Sequence, residues 1–426
     1  MGFNTLPFVF VFLPLFLAAF YLVPARWRAG LLCLGSLVFY VIGVWQRPWC
    51  LAPLLGLAVL VYLLGLRMRP RESRGLLVLG LAALFGCLFF FKYAGLLGLG
   101  VTLPLAISFY SFQLAAYLID VYRGRVPAER KPLLFFTGVL LFPKLLSGPL
   151  MDPLSLHEQL SDPPRPGLED FDSGLRDFIL GLSMKVLLAN QIGGLWRQVG
   201  NIGYESVSTP LAWMGIAAYS LQLYLDFCGY SWMALGLGRM LGFRLPRNFE
   251  HPYAARSMQD FWRRWHISLS SWFRDYVYIP LGGSRCSKAR KDGNLIITFL
   301  VSGLWHGAGL TYLVWGGLHG LCQAAENHLP PRRPGKLRHA LRVAGTFCIL
   351  AGAFVIFRAS SLANAAELFK GILCNGAHAV FSNYWELGLT SLQEEILLYA
   401  GIAILLAVDA AHERGVSLRT KIAALP

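Results

Sequence analysis

Charge is scarce in this chain, and negative charge is scarcest: 23 Asp and Glu stand against 38 Lys and Arg in 426 residues, with charged residues at 14%. A soluble domain carries roughly 25%, so an ordinary water-facing surface is excluded. The eight cysteines, at 33, 50, 87, 228, 286, 322, 348 and 374, form no CxxC pair and mostly lie in apolar runs. They read as small core hydrophobes rather than a disulfide framework. His266, His306 and His319 show no HxxxH or HExxH spacing and no nearby carboxylate ladder, so neither a metal nor a bound cofactor is expected. GxSxG is missing, which removes a serine-hydrolase elbow. The run from Leu235 to Gly242, LGLGRMLG, does not fit GxGxxG and follows no strand, so it reads as close helix packing. Internal repeats and low-complexity stretches are missing too, so residues 1–426 are treated as a single membrane domain.

What fills the chain is hydrocarbon: 56% of residues are hydrophobic and the mean hydropathy is +0.53. Thr5 to Val23 carries no charge and is long enough to cross a bilayer core at ~1.5 Å per residue. No basic flank precedes it, while Arg26 and Arg28 follow, so it reads as a first span rather than a cleaved signal peptide. Further apolar runs fall at 29–45, 49–66, 75–91, 97–119, 132–149, 175–194, 210–227, 294–305, 308–324, 341–357 and 394–410. The expected fold is an all-α polytopic membrane protein, a multi-span helical bundle of about ten to twelve spans. The two runs around His306 are short and broken by glycine, as tilted or re-entrant helices lining a cavity are.

The net charge of +15 comes from short basic clusters between apolar runs rather than from one basic face, which argues against nucleic acid. Arg26 and Arg28 follow the first run, Arg47 stands alone after the second, and Arg67, Arg69, Arg71 and Arg74 follow the third. By the positive-inside bias this alternation puts the N-terminus outside. Asp120 and Asp226 lie near span ends, where each is expected to pair with an arginine such as Arg123, the alternative being to orient a histidine. The proline-rich stretch from Asp152 to Asp172 and the basic stretch from Asn327 to Lys336 read as surface loops.

From Gly229 to Gly293 the pattern changes, because arginines mix with aromatics and prolines. Phe261, Trp265, Leu269 and Trp272 recur at helical spacing, so one helix from Ser257 to Tyr278 is expected, with Ser257 as N-cap and Asp260 completing a box-like start. It would put Trp262, His266 and Leu269 on one flank. Trp262, Arg263, Arg264 and Trp265 offer stacking faces and fixed positive charge suited to a donor bearing nucleotide phosphates; the alternative is that the arginines snorkel to headgroups. His306, in LWHGAG, is a candidate general base toward a hydroxyl attacking an acyl carbonyl, against the alternative of a buried histidine satisfied by a carbonyl. His266 is a second candidate, to orient the donor, line its path or hydrogen-bond the base. His319 reads as helix packing or support behind the site. An ionisable group at membrane depth is costly and marks function by default.

Together, FPKLLSGPL, DFCGYSWMALGLGRMLGF, NFEHPY, FWRRWHISLSSWFRDYVYIPLGGSR and SGLWHGAGLTYLVWGGLHG resemble the membrane-bound O-acyltransferase family, above all its bacterial alginate O-acetylation branch. The teichoic-acid D-alanyl-transfer branch is more distant. Trp232 stands where the alginate-type pattern has an acid, and Lys144 where glutamine is common. The resemblance implies a bundle around a central funnel and tunnel, with residues 229–320 as its catalytic motif region. It implies His306 as the catalytic residue and His266 as a second one near the tunnel. It further implies acetyl-CoA or another acyl thioester as donor, a polysaccharide acceptor outside a bacterial cytoplasmic membrane, and an extracytoplasmic SGNH-type partner. Competing expectations are D-alanyl transfer from a carrier-protein thioester and a transporter with histidine proton relays.

Overall fold

In hydrocarbon every backbone N–H and C=O must be paired within the protein, and the helix does this inside one segment. The computed structural model describes residues 2–162, 166–202, 208–329, 335–376, 391–413 and 415–416. Among them the fold is all-α, and the one β-type pairing is an isolated bridge between Phe249 and Trp265. Among the described residues four helical segments are long and apolar enough to cross a membrane: Ala25–Gly43, Pro48–Arg67, Arg74–Leu96 and Leu337–Arg358. The chain forms two compact units, one of Met1–Leu182 with Tyr230–Arg247, the other of Ser183–Gly229 with Asn248–Pro426.

The first unit begins with a π-turn, Phe8–Phe12, that runs into α1 (Leu13–Leu22). There follow α2 (Ala25–Gly43), α3 (Leu51–Arg67), α4 (Arg74–Tyr93), α5 (Ile107–Arg123), α6 (Pro132–Leu140), α7 (Phe142–Leu145), α8 (Pro153–Ser161) and α9 (Leu168–Ser183). Its core is aromatic: Phe3, Phe8, Phe16, Phe39 and Phe142 are all buried, and Phe142 meets Phe16 edge-on at 5.3 Å. Gly35 admits this packing, since a Cβ there would lie 2.2 Å from Phe16 Cε2. Where α6 gives way to α7, the Phe142 N–H donates to the buried Ser36 Oγ at 3.1 Å.

Polar groups in this unit are structural. Asp120, fully buried, pairs with Arg123 at 3.7 Å and Arg125 at 3.3 Å, as the sequence predicts for Arg123. The glycines of the Leu235–Gly242 run do pack helices closely: a Cβ on Gly236 would lie 2.4 Å from the Gly174 carbonyl oxygen. Beside them Arg239 pairs with Asp177 at 2.9 Å. The stretch from Asp152 to Asp172, expected as a loop, instead contains α8. Asp152 caps it by accepting from the Ser155 N–H at 3.3 Å, and Pro153 occupies the first turn. Proline's fixed φ suits that position, so a proline in this stretch opens a helix. Lys144 is buried in α7, beneath a turn so tight that a Cβ on Gly148 would lie 2.3 Å from the Pro143 carbonyl oxygen.

The second unit contains a π-turn at Met184–Ala189, α10 (Asn190–Ile202), α11 (Thr209–Met240, as far as Gly229), α12 (Met258–Arg264) and α13 (Ile267–Phe273). A further π-turn, Arg274–Tyr278, leads on to α14 (Lys288–His306), α15 (Leu310–Glu326), α16 (Lys336–Arg358), α17 (Leu362–Cys374) and α18 (Leu392–Glu413). α14 and α15 form the tightest pair. A Cβ on Gly303 would lie 2.3 Å from the Tyr312 carbonyl oxygen, and one on Gly316 2.3 Å from that of Phe299. Only glycine lets the backbones approach so closely. Along this seam lie buried Asn294, Thr298 and Ser302 of α14, then Thr311, Trp315, His319 and Gln323 of α15. Each set recurs every fourth residue, which keeps it on one helix face. Residues 330–334 of the expected Asn327–Lys336 loop lie outside the described residues.

Candidate active site

The helix expected from Ser257 to Tyr278 is broken in the middle, and His266 is the break. Ser257 does cap α12, its side chain accepting from the Asp260 N–H at 3.1 Å. Asp260 in turn accepts from the Arg256 N–H at 3.0 Å and pairs with Arg264 at 2.8 Å. At Trp265 the backbone turns extended, and His266 takes the left-handed conformation, φ 43° and ψ 52°, before α13 restarts. Asn248 and Glu250 hold the break open: the Glu250 N–H donates to the Arg264 carbonyl at 2.9 Å and the Ile267 N–H to the Asn248 carbonyl at 3.0 Å. The Asn248 side chain accepts from the Ser268 N–H at 3.2 Å. A non-glycine residue held in this region costs about 1–3 kcal/mol and is kept where the surroundings over-determine it. Spacing alone shows no such break, so the single flank of Trp262, His266 and Leu269 is not realised. His266 is buried, faces the Phe227 ring edge-on at 4.6 Å, and its Nδ1 has no hydrogen-bond partner among the described residues.

Within the second unit lies a cavity of about 450 Å³. Trp262 and Phe299 give it aromatic walls, Arg263 and Lys291 bring positive charge to it, and Arg274 lines it while paired with Asp275 at 2.8 Å. Ser302, Gln323 and Asn327 add polar groups from the α14–α15 seam. Of the four residues singled out for a phosphate-bearing donor, Trp262 and Arg263 line this cavity. The other two do not line it. Arg264 is engaged with Asp260, and Trp265 is buried among aromatic rings, 5.0 Å from Phe249 and 5.3 Å from Phe261.

Polar side chains tie one end of this region together. Glu326 accepts from the N–H groups of Met258 at 2.6 Å and Gln259 at 3.0 Å, capping α12. Lys291 Nζ and Gln259 Nε2 both donate to Asn327 Oδ1, at 2.8 and 3.1 Å. Asn327 Nδ2 donates to Asp292 at 2.8 Å, and His328 meets the other Asp292 oxygen at 2.8 Å. The Asn327 amide first, and His328 second, hold the Asp292 carboxyl below its usual range.

His306 ends α14. It is half-buried, and its ring lies 4.9 Å from Trp315 and 5.2 Å from Phe357, edge-on to both. Ser302, which lines the cavity, is one helical turn earlier on the same face, about 6 Å along the axis. Trp315 also meets His319 at 4.7 Å, and His319 Nδ1 accepts from Trp262 Nε1 at 3.2 Å. Trp262, His319, Trp315 and His306 thus form one contiguous aromatic set, while the recorded ring contact of His266 is with Phe227. Asp226 pairs with Lys185 rather than with a histidine or an arginine. Sequence reading passed over Arg274, Lys291, Ser302, Gln323 and Asn327. The four-residue spacing of 311, 315, 319, 323 and 327 is a sequence signal for Gln323 and Asn327, and that of 294, 298 and 302 for Ser302; Arg274 and Lys291 have none.

A half-buried imidazole one turn from a polar, cationic cavity can accept a proton from a hydroxyl beside a thioester held there. Among the described residues no group of three or more His, Cys, Asp or Glu is placed to hold a metal ion. The signature of the membrane-bound O-acyltransferase family matches residues 203–334. The chain is 37% identical over 426 residues to the probable alginate O-acetylase AlgI of Pseudomonas aeruginosa, covering 95% of this chain and 81% of that protein. It is 35% identical over 426 residues to the peptidoglycan O-acetyltransferase of Helicobacter pylori, covering 87% and 79%. To the teichoic acid D-alanyltransferase of Bacillus subtilis it is 27% identical over 237 residues, covering 52% and 58%.

Proposed function

This chain belongs to the membrane-bound O-acyltransferase family, and on that premise we propose that it transfers acetyl from cytoplasmic acetyl-CoA to a polysaccharide outside a bacterial cytoplasmic membrane. It is an acyltransferase and a multi-pass membrane protein. The observation that carries the donor reading is the cavity itself, with Trp262 and Arg263 in its wall, Arg274 and Lys291 beside them, and Ser302 one turn before His306. Guanidinium and ammonium groups suit the phosphates of coenzyme A, and the indole suits its apolar arm.

In the reaction the imidazole of His306 removes the proton of the acceptor hydroxyl while its oxygen attacks the thioester carbonyl. The tetrahedral adduct collapses to the ester, the carbon–sulfur bond breaks, and the thiolate leaves with the proton returned from His306. No net proton is consumed. His266, at the strained break between α12 and α13, is assigned a role beside the donor path. The wider reading is a bundle of ten to twelve spans around a central tunnel, N-terminus outside, with an extracytoplasmic SGNH-type protein completing delivery. Identity over most of the chain to proteins named for O-acetylation, against about half for one named for D-alanyl transfer, favours the acetyl donor.

The test is thioester consumption by reconstituted vesicles given acetyl-CoA on the cytoplasmic face. His306→Ala at matched folding is expected to lower turnover by about 10²- to 10⁴-fold. Full activity in the variant would overturn the base assignment. Turnover only with a purified D-alanyl carrier would replace the donor, and solute movement without thioester breakdown would replace acyl transfer by transport.

A further inference from the structure

We propose that His319 is a positioning residue: its Nδ1 anchors the Trp262 indole as a wall of the donor cavity, so donor binding depends on a hydrogen-bond acceptor at position 319. The inference rests on the acyl-transfer reading for its kinetic consequence but not for its geometry.

An indole N–H only donates, so His319 Nδ1, 3.2 Å from Trp262 Nε1, must be the acceptor, and the ring proton sits on Nε2. His319 has no solvent exposure; it is held edge-on between Trp262 at 5.2 Å and Trp315 at 4.7 Å, and lies nearly parallel to Phe299 at 6.1 Å. Without the acceptor the indole N–H would lose its partner, a loss that costs more than an exposed bond would. Trp262 sits at the C-terminal end of α12, two residues before the helix gives way to the extended Trp265 and the left-handed His266. Phe299 at 5.1 Å and Trp315 at 5.9 Å pack against the indole, and the bond from α15 adds a directional polar restraint to that packing. Trp262 lines the cavity and His319 does not, so His319 reaches the donor only through the ring it holds. Packing alone would require volume at position 319; the anchor requires an acceptor atom at the δ position.

That difference sets the experiment. Asparagine places Oδ1 close to where histidine has Nδ1, whereas leucine keeps volume without an acceptor. Full-length protein in nanodiscs, labelled with ¹⁵N at its indoles, would be compared as wild type, His319→Asn, His319→Leu and Trp262→Phe. The last identifies the Trp262 resonance by its loss. The expected result is a Trp262 indole N–H resonance retained in His319→Asn and shifted toward the unbonded position in His319→Leu. In vesicles, His319→Leu and Trp262→Phe should each raise the acetyl-CoA KM by about fivefold to tenfold with kcat within about threefold, and together no further. His319→Asn should restore KM to within about threefold of wild type. An indole resonance unmoved by leucine, or KM losses that multiply in the double variant, would overturn the anchor. Should His319→Leu not fold, adding His319→Asn to Trp262→Phe must cost nothing further; an added KM loss overturns the proposal. Absence of thioester turnover in wild type would count against acyl transfer alone, because the resonance comparison needs no donor.

Discussion

α4 and the α14–α15 hairpin are both apolar helical segments, yet they solve different problems. α4 is mostly unburied, with Gly80, Leu84 and Leu88 its buried residues, and a Cβ built on Gly86 meets nothing within 4 Å. Apart from Gly80, where a Cβ would lie 2.2 Å from Leu118 Cδ2, its exposed residues need only be hydrocarbon, because lipid is an undemanding neighbour. In the hairpin, by contrast, Gly303, Gly316 and Gly320 each stand where a Cβ would collide with the facing backbone. The approach they permit encloses a line of polar side chains that ends at His306. Anchoring tolerates almost any apolar sequence, whereas a polar seam inside a bilayer requires particular residues at particular turns.

Gly316→Ala is the largest way to break this contrast. Its Cβ would sit 2.3 Å from the Phe299 carbonyl oxygen, so the helices must part, at about 1–3 kcal/mol. A displacement of that kind at His306 is expected to lower turnover by about a hundredfold, measured as thioester consumption alongside the melting temperature in detergent. Gly86→Ala sharpens the same contrast from the other side. With open space around it, the alanine should stabilise α4 by about 0.5–1 kcal/mol through helix propensity and leave turnover unchanged. Equal effects at the two glycines would erase the distinction between anchor and seam.

Much of α4 was legible because length and hydropathy are local properties, and the same holds for the spans at α2 and α3. The hairpin was legible in outline, since glycines flanking His306 announced close approach. What sequence spacing could not show was the interruption at His266. Phe261, Trp265, Leu269 and Trp272 keep helical register in the sequence, while the break is imposed from outside the segment by Asn248 and Glu250. Trp265 and Arg264 lie away from the cavity lining, which the sequence does not show for the same reason. A tryptophan or arginine next to a motif histidine looks equally suited to a ligand or to the scaffold, and only the partner on a distant segment, Phe249 for Trp265, separates them. α8 differs again: a proline-rich, polar stretch reads as a loop, whereas Pro153 after the capping Asp152 starts a helix.

The smallest expected effect is at the polar end of the seam, where Asp292 joins Asn327 and His328. Its carboxyl is held below the usual value of 3.8 by the Asn327 amide and then by His328. A carboxyl whose native pKa is depressed adds stability that is present above the unfolded value and disappears as pH falls through the native one. The hairpin should therefore lose stability on acidification below about pH 4, and Asp292→Asn should flatten that part of the profile while leaving neutral behaviour nearly unchanged. Melting temperature followed from about pH 6 down to about pH 3 would check this. A matching acid loss in the Asp292→Asn variant would move its origin away from this network, leaving the tight glycine packing of the seam, rather than its polar end, as the feature that sets it apart from α4.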